Sequence, residues 1–221
     1  MNLNEELEKL NQMILKMADT VQEHYRRGMD IYQNYDKDKE YEMIDDSIID
    51  HQEREIEEEC LNILVRERPY AGDLRRVSGI LKLVADLEAI GDYGEDVMNF
   101  SLKLQNVERH KIPQIDEMVE IVLKMVNDCI FSYVKQDINL ANEVIKMDDI
   151  VDEMYANTVE YLIEANRTRK VSSAFAIYTT LVIKYMERAA DRAVNVAEWV
   201  VYIKSGFHKD KKIFWGELWS T

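Results

Sequence analysis

Two stretches of the chain carry oxygen donors at matched spacing. One reads Leu87-Glu88-Ala89-Ile90-Gly91-Asp92-Tyr93-Gly94-Glu95-Asp96, and the other reads Met186-Glu187-Arg188-Ala189-Ala190-Asp191-Arg192-Ala193-Val194-Asn195. Shifted by 99 positions they overlay, so Glu88, Asp92 and Asp96 fall on Glu187, Asp191 and Asn195. A second pair overlays with a shift of 102: Asp46 and Asp50 fall on Asp148 and Asp152, while Glu53 falls on Tyr155. Donors at i, i+4 and i+8 form one strip along a helix. Like charges one turn apart repel. Leu87, Ile90, Met186 and Ala189 place the strips beside an apolar seam rather than opposite it. Carboxylates concentrated at a seam require a cation or a raised pKa.

A metal ion held between two helices meets that requirement. All-oxygen donors suit Mg²⁺, Ca²⁺, Mn²⁺ or iron, and the lack of accompanying His or Cys argues against structural zinc. Di-iron bundles that activate oxygen use Glu-x-x-His. None of His24, His51, His110 or His208 has an acidic residue three positions before it. Acid pairs one turn apart are common by chance in so acidic a chain, so a solvated acidic face stays open beside the metal. Gly91 and Gly94 overlay Ala190 and Ala193. Small residues in both copies, at poor helix positions in the first, imply that something approaches the backbone closely there.

The elements that hold these strips read as helices. The 221 residues include only 7 Gly and 2 Pro, too few for the turns of a many-stranded fold. Leu3, Leu7, Leu10, Ile14, Met17 and Val21 alternate steps of four and three, predicting a first helix to about Tyr35. Residues 36–39 read as a turn, with a second helix from there to Val65. Pro69 and Gly72 break it, and Asp73 suits the N-cap of a third helix reaching about Leu104. Residues 107–113 read as a linker. A fourth helix carries Ile115 to Tyr133, a fifth opens near Asp137, and a sixth is capped by Ser172 or Ser173 and stops near Gly206. Short connections make neighbours antiparallel. The expected fold is all-α: two sets of three helices, residues 1–107 and 108–206, then a tail, 207–221, bearing Phe207, Phe214, Trp215 and Trp219. Basic groups after helix 2 (Arg66, Arg68, Arg75, Arg76) and after helix 5 (Arg167, Arg169, Lys170) would share one end of such a bundle.

Composition excludes several classes. Asp and Glu number 43 against 28 Lys and Arg, a net charge of −15, whereas nucleic-acid binding requires a basic face. A 47% hydrophobic content excludes a disordered acidic tail. The N-terminal stretch shows no apolar signal region, and no run approaches the roughly 18 to 20 apolar residues of a membrane span. Cys60 and Cys129 suit reduced thiols, so the expected location is the cytoplasm. No P-loop, nucleophile–base pair or histidine-kinase motif is present, which points away from an enzyme.

These motifs resemble the PhoU family, the phosphate-signalling accessory proteins of bacterial phosphate transport. Arg68-Pro69-Tyr70-Ala71-Gly72-Asp73-Leu74-Arg75 is similar to its R-x-P-x-A-x-D-L-R segment, with the Arg here directly before the Pro. Leu87 to Asp92 is similar to its L-E-R-I-G-D signature, with Ala89 where Arg is usual. Residues 186–198 are similar to the second copy, and residues 200–206 also match. The resemblance implies two pseudo-symmetric three-helix bundles in tandem, with multinuclear iron or another metal (Mn, Mg or a similar hard cation) bound once per half. The implied ligands are Asp46, Asp50, Glu53, Glu88, Asp92 and Asp96 in the first half, and Asp148, Asp152, Glu187, Asp191 and Asn195 in the second. Tyr155 removes one donor from the second set. The implied role is non-enzymatic negative regulation, between the phosphate transporter's ATPase subunit and a sensor histidine kinase, with a homodimer as a further partner to test. The competing readings are a carboxylate-metal enzyme and a metal-free helical scaffold.

Overall fold

The computed structural model describes residues 3–206, so the 207–221 tail lies outside the described residues. Six helices and no strand form within them: α1 Leu3–Gln33, α2 Ser47–Arg66, α3 Gly72–Lys103, α4 Pro113–Lys135, α5 Ile138–Arg167 and α6 Ser173–Ser205. The four-three stripe of α1 is its buried face, from Leu7 through Leu10, Ile14, Met17 and Val21 to Tyr25. Local chemistry sets the ends. Pro113 opens α4, the Asp137 carboxylate accepts from the N–H groups of Asn139 and Leu140, and Ser172 Oγ accepts from Phe175 N at 3.1 Å. Gly206 closes α6 at φ 81°, a left-handed conformation that suits glycine.

Helices α3 and α6 form the axis of the molecule. Gly79 meets Ile203, Asp86 meets Asn195, and Phe100 meets Tyr185, so the two run antiparallel. Helices α1 and α2 flank α3, while α4 and α5 flank α6. Most buried apolar residues of both halves join in one continuous core, and Ile31, Ile44 and Met98 form a small second cluster. This is the tandem pair of three-helix bundles expected from the sequence. Cys60 and Cys129 are buried free thiols. Burial pushes the Cys60 thiol up to about 12 and raises the Cys129 thiol as well, so neither is a ready nucleophile.

Three local expectations are corrected. Helix α2 begins at Ser47, not near residue 40, because residues 36–46 bond locally instead of winding a helix. Asp36 Oδ1 accepts from Asp38 N, Asp45 Oδ1 accepts from Ser47 N, and Tyr41 stacks on Tyr35 with ring centroids 5.4 Å apart. Helix α3 opens two residues early, capped by Ala71 at φ 49°, which leaves Asp73 in the first turn. The two basic groups lie at opposite ends, because α3 and α6 are antiparallel. Arg75 Nε donates to Ile203 O near the C-terminus of α6, whereas Arg167, Arg169 and Lys170 line a cavity with residues 106–108 at the other end.

The small residues of α3 are explained by helix packing. A Cβ on Gly28 of α1 would lie 2.3 Å from the carbonyl oxygen of Gly94, and one on Gly94 would lie 2.8 Å from that of His24. Both obstacles are backbone, so neither can swing aside. Gly28→Ala is expected to force α1 and α3 apart and to destabilise the fold by about 2 kcal/mol despite Ala's better helix propensity. A urea melt tests this, and an unchanged or raised midpoint would contradict the close crossing.

Candidate metal centre

The second close approach assembles the acidic residues. Gly91 faces Ile49 of α2, where a Cβ would come within 2.4 Å of Ile49 Cδ1. Ile49 is fully buried and sits between Asp46 and Asp50 on the same turn. Seating Ile49 on the bare Gly91 backbone therefore brings Asp46 and Asp50 up to Asp92, the residue after Gly91. One carboxylate oxygen from each of the three lies within 4.8 Å of the others, and all three residues are half-buried. Asp46 precedes α2 by one residue but keeps helical dihedrals, φ −71° and ψ −18°, so its one-turn spacing to Asp50 survives.

Glu53, Glu88 and Glu95 surround this trio. Burial and the neighbouring Glu88 and Asp46 push the Asp92 carboxyl up to about 7. Glu88 is raised by burial and by Glu53, Glu53 by burial and by Glu57 and Asp50, and Glu95 by burial and by Asp46. Arg54 stands at the exposed edge of this cluster, with Nη2 3.6 Å from Asp50 Oδ2. Asp92 Oδ1 is buried and has no hydrogen-bond partner among the described residues. An oxygen-only set with a buried, unpartnered carboxylate atom fits a hard cation. The group would supply positive charge that joins α2 to α3.

The second half is built differently. Asp148 and Asp152 on α5 face Glu187 and Asp191 on α6, and burial with Asp191 and Asp152 pushes Asp148 up to about 6. Asp152 and Asp191 are exposed, and the spacing met by Asp46, Asp50 and Asp92 is not repeated here among the described residues. Lys184 reaches into this strip, with Nζ 2.5 Å from Glu187 Oε2 and 5.1 Å from the centre of the Tyr155 ring.

Asp96 and Asn195, implied as ligands by the family resemblance, are turned toward the α3–α6 seam. Asp96 accepts from the Tyr185 hydroxyl and faces Arg188, while Asn195 Nδ2 donates to Asp86 Oδ1 at 3.1 Å. These are the same contact made once from each half, because Tyr185 overlays Asp86 and Asn195 overlays Asp96. Glu95 stands beside Asp46 instead. On a helix, Glu95 lies about 20° from Glu88 whereas Asp96 lies about 80° away. That angle was the available signal for Glu95. It carries no counterpart, since Val194 stands at the matching position.

Asp86 is a further structural position that spacing did not reveal. Its Oδ1 accepts from Arg192 Nη1 at 2.9 Å as well as from Asn195, and its Oδ2 accepts from Trp199 Nε1 at 3.1 Å. This carboxylate locks α3 to α6.

A duplicated three-helix unit on an antiparallel central pair, with acids paired between its second and third helices, defines a class of helical-repeat protein. The PhoU domain matches residues 14–100 and again residues 115–200. The chain is 36% identical over 212 residues to the phosphate-specific transport system accessory protein PhoU homolog of Aquifex aeolicus, covering 93% of this chain and 94% of that one. It is 30% identical over 209 residues to the homolog of the same name in Clostridium acetobutylicum, covering 93% and 95%. The crystal structure of PhoU from Pseudomonas aeruginosa matches with a TM-score of 0.86 at 27% identity, over 93% of this chain and all of that one. The chain belongs to the PhoU family.

Proposed function

We propose that this chain is an accessory regulator of phosphate transport, a non-enzymatic adaptor that restrains uptake and phosphate-regulon signalling when phosphate is plentiful. Its partners are the transporter's ATPase subunit and a sensor histidine kinase. The observation that carries the reading is the doubled PhoU domain, matched across both halves, together with relatives named as accessory proteins of the phosphate-specific transport system. One feature of the chain supports an adaptor role: the two halves offer two faces related by the antiparallel α3–α6 axis.

The metal belongs to this proposal as a structural element. Asp46, Asp50 and Asp92 would hold it, with Glu53, Glu88 and Glu95 around them. Bound there, it would lock the second and third helices of the first half into one surface. The test is affinity purification of the tagged chain from its own cells at high phosphate, with quantification of the transporter ATPase and the sensor kinase. Enrichment of both is expected. Enrichment of neither, with the phosphate regulon unchanged on deletion, would contradict the proposal.

A further inference from the structure

We infer that Lys184 is a built-in cation for the acidic strip of the second half, so that the two halves are unequal: the first takes up an exchangeable hard cation and the second is partly neutralised by its own ammonium. This rests on the metal reading of the first half and adds a statement about the second.

The register shows the exchange. Lys184 overlays Ala85, and Tyr155 overlays Glu53. The first half thus gathers six carboxylates, from Asp46, Asp50, Glu53, Glu88, Asp92 and Glu95, with Arg54 paired to Asp50 at an exposed edge. The second half gathers Asp148, Asp152, Glu187 and Asp191, with one acid replaced by the Tyr155 phenol, another by Val194, and one ammonium added. Lys184 is anchored on both sides of the strip. It pairs with Glu187 at 2.5 Å on its own helix and lies 5.1 Å over the Tyr155 ring on α5. The Glu187 side chain in that pair is 14% exposed, so the bond is partly shielded from solvent. The lysine therefore bridges α6 to α5 where, in the first half, an ion would bridge α3 to α2. A divalent cation entering the second strip must break a charge-assisted bond, and would then sit beside a tethered ammonium of like sign.

The test is Mn²⁺ titration of the chelator-stripped full chain, read as stoichiometry and affinity by calorimetry and by the spin-resonance signal of free Mn²⁺. The variants are Asp92→Asn, Lys184→Ala, and the double change Tyr155→Glu with Lys184→Ala, each matched to wild type in helicity. Wild type is expected to bind one tight class, which Asp92→Asn abolishes. Lys184→Ala should raise second-half affinity at least tenfold, and the double change should raise it further, both without disturbing the first class. The inference is overturned if Asp92→Asn keeps a second class at wild-type strength, or if both Lys184 variants bind no more than wild type. If wild type binds no Mn²⁺, the metal reading of the first half fails. The Lys184 assignment then stands only if the double variant binds the ion, and falls with that reading if it does not.

Discussion

Adding Mn²⁺ to chelator-stripped protein at pH 8 is expected to raise Tm by roughly 12 °C, and Asp92→Asn should remove most of that rise. A ligand at a thousandfold excess over its Kd stabilises by about 4 kcal/mol, and a chain of this size gains about 3 °C per kcal/mol. The physical source is the repulsion among Asp46, Asp50, Glu53, Glu88, Asp92 and Glu95, which the fold holds together at half-buried positions. The same repulsion predicts an unusual pH dependence without metal. The folded Asp92 carboxyl titrates at about 7, against 3.8 when unperturbed. The folded state therefore binds more protons than the unfolded one between those values. Its contribution to stability is fully present below pH 4, declines as pH rises, and is lost above pH 7. Metal-free wild type should melt lower at pH 8 than at pH 5, the reverse of ordinary acid denaturation. Asp92→Asn cannot ionise, so metal-free it should exceed metal-free wild type at pH 8 by about 1 kcal/mol after solvent screening. Thermal melts at the two pH values, with chelator and with Mn²⁺, check every part. A wild type that gains stability from pH 5 to pH 8 in chelator would contradict the electrostatic argument.

Asp86→Ala is expected to destabilise the protein by about 3 kcal/mol while leaving metal uptake intact. Asp86 is 7% exposed and accepts from Arg192, Asn195 and Trp199. Removing the carboxylate leaves a guanidinium, an amide and an indole N–H without their shared acceptor along the α3–α6 axis. Arg192 also reaches the Tyr93 hydroxyl at 3.4 Å, which retains part of the contact and keeps the loss from being larger. The measurement is a urea melt in chelator, where the midpoint should fall without a change in slope. A double change with Arg192→Ala should cost less than the sum of the two single changes, because the pair acts as a unit. A loss below about 0.5 kcal/mol for Asp86→Ala would show that the seam is held by apolar packing alone.

The helices and their order were legible from periodicity, because each presents one apolar stripe to the shared core. The pairing of Asp46 and Asp50 with Asp92 was legible for a different reason, since chain duplication marks positions by repetition. The same logic hid what is not duplicated. Glu95 faces Val194 in the overlay, Asp86 faces Tyr185, and Lys184 faces Ala85. Demanding a match therefore favoured Asp96 and Asn195, which point into the seam between halves. Which side of α3 meets α2 and which meets α6 depends on how the helices cross, and no single helix records that. The close approach implied by Gly91 and Gly94 was real, but the approaching groups are Ile49 and the α1 backbone.

The proposal stands or falls most directly on the metal content of the full chain purified without chelator, measured by elemental analysis beside Asp50→Asn with Asp92→Asn. At least one iron, manganese or other hard cation per wild-type chain, lost in the double variant at unchanged helicity, is the predicted result. Wild type without metal, or a double variant that keeps the wild-type content, would contradict it.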